Sequence, residues 1–483
     1  MAAPPQWYAP LPAANSSASA SAAMAVTNPT SSLPHNGQLG NLSQWWMLQH
    51  DPLLVELIEA AQIVSPSVIT ARSNIAQAQA TRAVSEAALL PKLDAGANIS
   101  RSLAAPINRT TVPPLTNFGQ LALQTSWELD LFGQNQASLD ADKERLKGVE
   151  ALWHDARVSV AAEVALQYYT LRACENLLGV ARADARSRAE TARLTDLVTR
   201  AGFGAPATAA LARASAAESS SRVTQQRAQC EVDLKTLVAL TAFAEPLLRQ
   251  KLAQTSAATP LQGFSGLAAI SAIPAEVITQ RPDVYNAARA VAAASFEVGS
   301  AQARRYPRLS IAGSIAANQS SARGFTQRFD TWSIGPLALT VPLFDGGASY
   351  ANLESAKARY EEAAGKYHGT VRQAVREVEE ALTRLQSAAD RGDDTAVAAQ
   401  GYGASFAGTE ARYKAGLASL VELEEARRTL LSAQSAVVNL QQEHRSAWIA
   451  LYRALGGGWT SAALATPSMV FERPRQVGPP QMQ

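Results

Sequence analysis

The chain repeats itself once, at an offset of about 214 residues. Leu-Pro-Lys-Leu at 90–93 matches Tyr-Pro-Arg-Leu at 306–309, and Arg-Ala-Gly at 200–202 matches Lys-Ala-Gly at 414–416. A third match aligns Phe132 with Phe344 in similar surroundings. Three matches in the same order at nearly one offset indicate two copies of a single structural unit.

The repeats lie between two segments of different composition. Residues 1–44 are rich in Pro, Ala, Ser and Asn, which favours an extended arm, and residues 460–483 form a similar tail. We assign residues 45–262 to the first repeat and residues 263–459 to the second.

Each repeat is predicted to begin with a helix (48–89 and 275–304) and to continue with two strands. The strand segments alternate apolar and polar residues and are about ten residues long, the length of a tilted strand that crosses a bilayer. The predicted strands are residues 93–102, 120–132, 309–319 and 332–344, joined by loops 103–119 and 320–331 that are longer than hairpin turns.

Long helices without proline follow the strands at 134–199 and 348–412. At 1.5 Å per residue each would span roughly 100 Å. Glycine-containing tips at 200–204 and 414–417 are predicted to reverse the chain into return helices at 207–242 and 419–455. The pattern is typical of two coiled-coil hairpins.

Four strands of membrane length predict an oligomer, because an open sheet edge is not viable in lipid. Three chains would supply twelve strands, enough for a β-barrel with a lumen. Helices of this length exceed the ~30 Å hydrocarbon layer and must project into water. The predicted fold is mainly α: three chains would form a twelve-stranded membrane β-barrel that continues into an α-helical coiled-coil barrel in water.

Charge and motifs exclude several functions. The formal net charge is +2 and no basic cluster is present, so a nucleic-acid partner is not expected. The five histidines are scattered, the two cysteines fit no zinc site, and no nucleotide loop or nucleophile elbow occurs. We therefore expect no catalytic site, cofactor or metal, and a protein that is not an enzyme.

Four segments resemble motifs of the TolC/OprM-type outer membrane factors of tripartite efflux pumps, and the resemblance spans residues 45–459. They are Trp-Trp-Met-Leu-Gln-His-Asp-Pro-Leu at 45–53, Pro-Ala-Glu-Val-Ile-Thr-Gln-Arg-Pro-Asp-Val at 274–284, Pro-Leu-Phe-Asp-Gly-Gly at 342–347 and Leu-Gly-Gly-Gly-Trp at 455–459.

The resemblance implies a homotrimer in outer membrane lipid, with a trimeric twelve-stranded outer-membrane β-barrel that continues into a periplasmic α-helical coiled-coil barrel. Its expected partners are a periplasmic adaptor and an inner-membrane transporter of the RND or ABC type. Many OprM-like members carry a lipidated N-terminal cysteine, which is missing near the start of this chain. No signal peptide is visible either, so we expect the numbering to start near the mature end.

The resemblance also places a gate in the second hairpin. It implies acidic rings at Glu422 and Glu425, engagement of Glu425 by Arg412 and Tyr413 within or between chains, and an apolar constriction at Val421. A basic residue of TolC-like members is replaced by Ala418. Alternatively, the helix face is solvated and forms ordinary ion pairs, with Glu422, Glu424 and Glu425 as its acids and Arg427 and Arg428 as their partners. The tips would dock the adaptor through Arg200, Gly202, Gly204, Lys414, Gly416 and Leu417.

Cys174 and Cys230 each lie 28 residues from Gly202, on opposite arms of the first hairpin. Antiparallel arms bring such positions to similar heights, which suggests a disulfide in the oxidising periplasm. Two buried, unpaired thiols are the alternative.

The sequence thus predicts the outer membrane duct of an efflux system that exports small molecules such as drugs, other toxic compounds or metal ions. A type I protein secretion channel would have the same architecture. A periplasmic adaptor or a structural coiled-coil protein is the alternative of another class, but an adaptor would show one hairpin and no duplication.

Overall fold

The computed structural model describes Trp46, Ile278 and residues 51–103, 115–255 and 281–459. The predicted arm 1–44, the tail 460–483, loop residues 104–114 and helix residues 48–50, 275–277, 279 and 280 lie outside this part. The described elements run α1 Pro52–Val64, α2 Pro66–Ala87, β1 Lys92–Leu103, β2 Leu115–Leu129, α3 Gln134–Arg200, α4 Pro206–Thr241, α5 Glu245–Thr255, α6 Pro282–Ala303, β3 Arg308–Ala322, β4 Phe325–Thr340, α7 Ala348–Asp390, α8 Gly392–Lys414 and α9 Leu420–Ala454.

The chain divides into two compact units. One contains residues 69–153 and 283–373 and holds the sheet. The other contains the described residues up to Val68 together with 154–282 and 374–459, and it holds both hairpin ends.

The sheet is antiparallel with strand order β1-β2-β3-β4, so β1 and β4 form its edges within the chain. Ala95 pairs with Leu123, Leu123 with Ile315 and Ile315 with Trp332, which places these side chains on one face. The last three are exposed, as expected for an apolar face that meets lipid in the assembled protein.

The opposite face of the sheet is polar. The Gln120 side-chain amide donates to Asn318 Oδ1 (3.1 Å), and the Asn318 amide donates to Thr331 Oγ1 (2.9 Å). These hydrogen bonds link three neighbouring strands. The period-two alternation used to predict the strands therefore separates an apolar face from a polar one.

The predicted strand ends need correction. β2 covers Leu115–Leu129 instead of 120–132, and β4 covers Phe325–Thr340 instead of 332–344. The predicted long loop at 320–331 is wrong, because only Arg323 and Gly324 join β3 to β4. Both have positive φ (51° and 82°), which suits a two-residue hairpin turn. Backbone pairing carries the strands past the point where apolar alternation stops.

Two predicted continuous helices are interrupted. Helix 48–89 breaks at Ser65 because Pro66 cannot donate a helical hydrogen bond, and α1 and α2 meet at 48°. Helix 348–412 breaks at Arg391, beside Gly392, where glycine weakens the helix. None of the described helices alone has the length and apolar character to cross a membrane, whereas the bent pair α1 and α2 meets that criterion together.

Residues of the sequence motif at 45–53 lie in a buried core. Asp51 caps α1 at Leu54 N (3.3 Å) and accepts a hydrogen bond from the Tyr168 hydroxyl (2.5 Å). Trp46 packs edge-on against Tyr452, with ring centroids 5.0 Å apart. These residues therefore stabilise the fold.

Glycine is required close to the end of α9. A Cβ atom on Gly457 would lie 2.5 Å from Val158 Cγ2, and its φ of +60° disfavours other residues. Arg281 donates to Ala454 O (2.9 Å) and to Glu377 Oε2 (2.8 Å), which fixes the same region. The glycine-rich motif at 455–459 is thus explained by close packing.

His154 is expected to make the stability of this unit depend on pH. Its burial, reinforced by the positive charge of Arg157, lowers its pKa to about 4. The unfolded chain binds this proton more readily, so the free energy of unfolding falls as pH drops from about 6.5 to about 4, by about 3 kcal/mol. Denaturant unfolding at pH 7 and pH 4 measures this loss. His154→Phe should reduce it, and an unchanged loss in the variant would contradict the assignment.

Candidate gate at the ends of the helical hairpins

Both hairpins reverse direction through turns with the same backbone conformation. Gly202 and Gly416 have φ of +82° and +77°, and they follow the last helical residues of α3 and α8. Phe203 N donates to Val198 O (3.0 Å), and Leu417 N donates to Arg412 O (2.8 Å). These contacts complete glycine caps that let each helix end abruptly.

The residues predicted to dock an adaptor lie around these turns. Arg200 pairs with Asp196 (2.9 Å) and Lys414 with Glu410 (3.1 Å), each within its own helix. Leu417 is exposed, and Gly204 lies close to Thr199. Phe203, which the sequence analysis did not single out, is 87% exposed and adds an apolar side chain to the first tip.

The first turn of α9 carries two of the predicted gate residues. Ser419 caps the helix by accepting a hydrogen bond from Glu422 N (3.1 Å). Arg412 forms an exposed ion pair with Glu422 (3.8 Å) and also donates to Leu417 O (3.2 Å). Val421 lies beside this pair and is 66% exposed. The chain therefore presents an apolar side chain and an ion pair together at the hairpin end.

The predicted engagement of Glu425 by Arg412 and Tyr413 is wrong within one chain. Glu425 pairs with Arg428 (2.7 Å), which lies one helical turn further along α9. The Tyr413 hydroxyl shares a hydrogen bond with Thr195 Oγ1 of α3 (3.0 Å). Arg412 reaches Glu422 instead because Glu422 lies one turn closer to the hairpin tip. Engagement between chains stays a prediction.

Glu424, between these two glutamates, has a different environment. Its side chain is largely buried and accepts hydrogen bonds from Arg427 Nη1 (2.5 Å) and Ser215 Oγ (2.8 Å). It also pairs with Arg188 of α3. The interpretation of Glu424 as part of a solvated face is therefore wrong, although its ion pair with Arg427 is confirmed.

Asp184, Arg188, Glu424 and Arg427 form what we call the buried ion cluster. Arg188 Nε donates to Asp184 Oδ1 (2.9 Å), so the cluster holds two carboxylates and two guanidinium groups. Arg427 is 3% exposed. Burial lowers its pKa, while the charge of Glu424 acts in the opposite direction. Asp184 also pairs with the partly exposed Arg222 (3.3 Å), and this pairing of opposite charges lets the four groups of the cluster lie away from water.

Hydroxyl groups complete the buried ion cluster. Arg427 Nη2 donates to Ser187 Oγ (3.0 Å) and Thr191 Oγ1 (2.9 Å), both on α3. The sequence signal for this cluster was weak, because Asp184–Arg188 and Glu424–Arg427 have the spacing of ordinary surface ion pairs. Only the packing of α9 against α3 brings the two pairs together.

Cys174 and Cys230 are joined by a disulfide between α3 and α4, with their Cα atoms 5.5 Å apart. This confirms the bridge suggested by their equal spacing from the hairpin tip. Across the described part of the chain, no group of three or more His, Cys, Asp or Glu residues is arranged to hold a metal ion.

The sequence profile of a family described as outer membrane efflux protein matches residues 57–242 and 273–457, one segment in each predicted repeat. The chain belongs to the outer membrane efflux protein family. It is 30% identical over 423 residues to the outer membrane protein OprJ of Pseudomonas aeruginosa, covering 86% of each chain. It is 27% identical over 413 residues to the solvent efflux pump outer membrane protein SrpC of Pseudomonas putida, covering 85% of this chain and 86% of SrpC.

A solved structure agrees with this assignment. The CmeC outer membrane channel of Campylobacter jejuni superposes with a TM-score of 0.78 at 25% identity, covering 87% of this chain and 89% of CmeC. The predicted family, fold class and location are therefore confirmed: this outer membrane efflux protein is a trimeric channel that spans the outer membrane and the periplasm. Proteins of this family work within tripartite pumps.

Proposed function

We propose that this outer membrane efflux protein is a passive duct for small toxic compounds and that the end of its second hairpin is the gate. The observation that carries the gate is the exposure of Val421, Glu422 and Glu425 beside a hairpin tip. The name of SrpC, a solvent efflux pump protein, supports small organic compounds as the cargo.

The free edges of the sheet support closure by three copies. Within the chain β1 and β4 lie at opposite edges, 12 and 16 residues long. Unpaired backbone groups on such edges are too costly in lipid. Pairing β1 of each copy with β4 of the next would satisfy both edges and place the polar face of the sheet toward the lumen. The division into repeats at 45–262 and 263–459 is part of this proposal.

The gate would work through ion pairs that are easily broken. Arg412–Glu422 and Arg428–Glu425 are both exposed, and exposed pairs contribute only about 0–1 kcal/mol each. Three copies around a pore axis would form mixed rings of carboxylates and guanidinium groups beside Val421. Carboxylate rings favour hydrated passage once the apolar constriction widens.

A periplasmic adaptor would dock on the hairpin tips, and an inner-membrane transporter of the RND or ABC type would supply the energy. The exposed side chains Phe203 and Leu417, flanked by Arg200 and Lys414, support docking at the tips. Gly202 and Gly416 keep the turns compact and Gly204 packs closely on Thr199, so these side chains stay accessible.

Glu425→Ala is expected to raise the open fraction of the channel roughly tenfold, because it would remove from all three copies a contact with the neighbouring chain worth about 0.5 kcal/mol. The pair with Arg428 lies within one turn of α9 and is the same in both states, so its loss does not favour opening. Single-channel recording of the purified protein in planar bilayers measures the change. Glu443→Ala is the matched control: Glu443 also lies on α9 and pairs with an arginine, Arg391 (2.6 Å), away from the tip.

An equal rise in both variants would show that the gate does not depend on Glu425. A large conductance that neither variant changes would keep the duct and refute the chosen gate. Absence of any channel from a folded trimer would argue against the duct itself.

A further inference from the structure

The buried ion cluster ties the two hairpins together behind their tips. On α3 its members Asp184 and Arg188 precede the helix end at Arg200 by 16 and 12 residues, whereas Thr195 lies only five residues from that end. On α9 the cluster residue Glu424 follows the helix start at Leu420 by one turn. The cluster therefore lies further from the tips than the Thr195–Tyr413 contact does.

Apolar side chains close off the tip side of the cluster. Leu420 and Leu423 of α9 pack with Ala192 and Ala212 of the first hairpin, and all four are buried. The Arg427 guanidinium also lies over the Phe406 ring, 5.5 Å from its centroid. Water therefore has little access to these charges while α9 is seated on α3.

The cluster and the tip pairs differ in what their separation would cost. Separating α9 from α3 would leave Arg427 without Ser187 and Thr191 and would divide Glu424 from Arg188. Hydrogen bonds to charged groups are stronger than neutral ones, and separation would break several of them at once while exposing the buried Leu420 and Leu423. The exposed pair Arg412–Glu422 can exchange its partner for water at almost no cost.

We propose that the buried ion cluster is a fixed pivot for the gate. During opening α9 stays clamped to α3 at the cluster, and the chain rearranges only on the tip side, at the Thr195–Tyr413 contact, the Arg412–Glu422 pair and the turn 415–419. This inference rests on the proposed gate, since it states which contacts part when that gate opens.

Thr191 and Thr195 form a matched pair of reporters on α3. Both are 7% exposed, and each donates its hydroxyl to the carbonyl oxygen four residues earlier. They differ in the partner from the second hairpin: Thr191 contacts Arg427 of the cluster, and Thr195 contacts Tyr413 of the tip. A pivot predicts that only Thr195 is exposed by movements of the tip.

The test is the rate at which a charged methanethiosulfonate reagent modifies Thr191→Cys and Thr195→Cys in the folded trimer. Both native cysteines are engaged in the disulfide, so the introduced thiol is the free one. Thr191→Cys is expected to react at least about tenfold more slowly, because its exposure requires rupture of buried ion pairs. Adding Glu424→Gln should bring its rate to within about threefold of that of Thr195→Cys.

Equal rates in the two single variants, or a Thr191→Cys rate that Glu424→Gln leaves unchanged, would overturn the pivot. Where Glu424→Gln prevents trimer assembly, Ser215→Ala replaces it. This change removes hydrogen bonds to Arg188 and Glu424 and should also accelerate Thr191→Cys.

Conductance and labelling distinguish failure of the proposed gate from failure of the proposed pivot. Labelling reports spontaneous movements of the resting protein and needs no opened variant. A conductance insensitive to Glu425→Ala would refute the gate, whereas the ratio of labelling rates would still decide whether the cluster keeps α9 on α3.

Discussion

Glu424→Gln is expected to lower the free energy of unfolding by about 3–5 kcal/mol, whereas Glu425→Gln should change it by less than about 1 kcal/mol. The two glutamates are neighbours on α9 and undergo the same substitution. Glu424 neutralises two buried guanidinium groups, of Arg188 and Arg427, and its loss leaves Asp184 as the remaining carboxylate of the cluster. Glu425 forms an exposed ion pair with Arg428.

Denaturant unfolding in detergent, followed by helical circular dichroism, measures both changes. Because the two variants remove the same charge from the same helix, a difference between them reports burial. Similar losses for both variants would mean that the cluster is hydrated and that its charges behave like those of surface pairs.

Loss of the Cys174–Cys230 disulfide is expected to lower the free energy of unfolding by about 4 kcal/mol. The bridge closes a loop with a sequence separation of 56 residues, and its stabilisation arises largely from the freedom that it removes from the unfolded chain. The bridge also fixes the register of α3 against α4, since Cys174 and Cys230 lie on opposite arms of the first hairpin.

The measurement compares the oxidised protein with the Cys174→Ser/Cys230→Ser double variant, each with and without a reductant. Reductant should destabilise only the oxidised protein and bring it to the level of the variant. An oxidised protein no more stable than the double variant would contradict the loop-entropy argument. Channel conductance should persist in the variant at temperatures where it is folded, because the gate residues lie on the other hairpin.

Local sequence signals predicted most of the architecture. Strand alternation, proline-free helices and glycine turns each act over a few residues, so the four strands, the long helices and both hairpin tips followed from them. The duplication followed from three matched motifs at nearly one offset. The interruptions of helices and the ends of strands were less predictable. β2 and β4 both begin earlier than predicted, because backbone pairing with β1 and β3 continues where apolar alternation has faded.

The candidate gate was only partly predictable. Resemblance to the family led to Arg412, Glu422 and Glu425, and the structure places the first two in contact. The resemblance could not lead to the Tyr413–Thr195 contact, because those residues are 218 positions apart and belong to different hairpins. The spacing of charges along a single helix also did not distinguish Glu424 from Glu425.

The sequence by itself determined the elements of this efflux protein, because periodicity, proline and glycine act locally on the backbone. Only the tertiary structure decided which charges are buried. Glu424 and Glu425 are adjacent, yet helical geometry turns one toward α3 and leaves the other exposed beside Arg428. Burial depends on the surface that packs against a residue, and that surface comes from a hairpin more than 200 positions away in the chain.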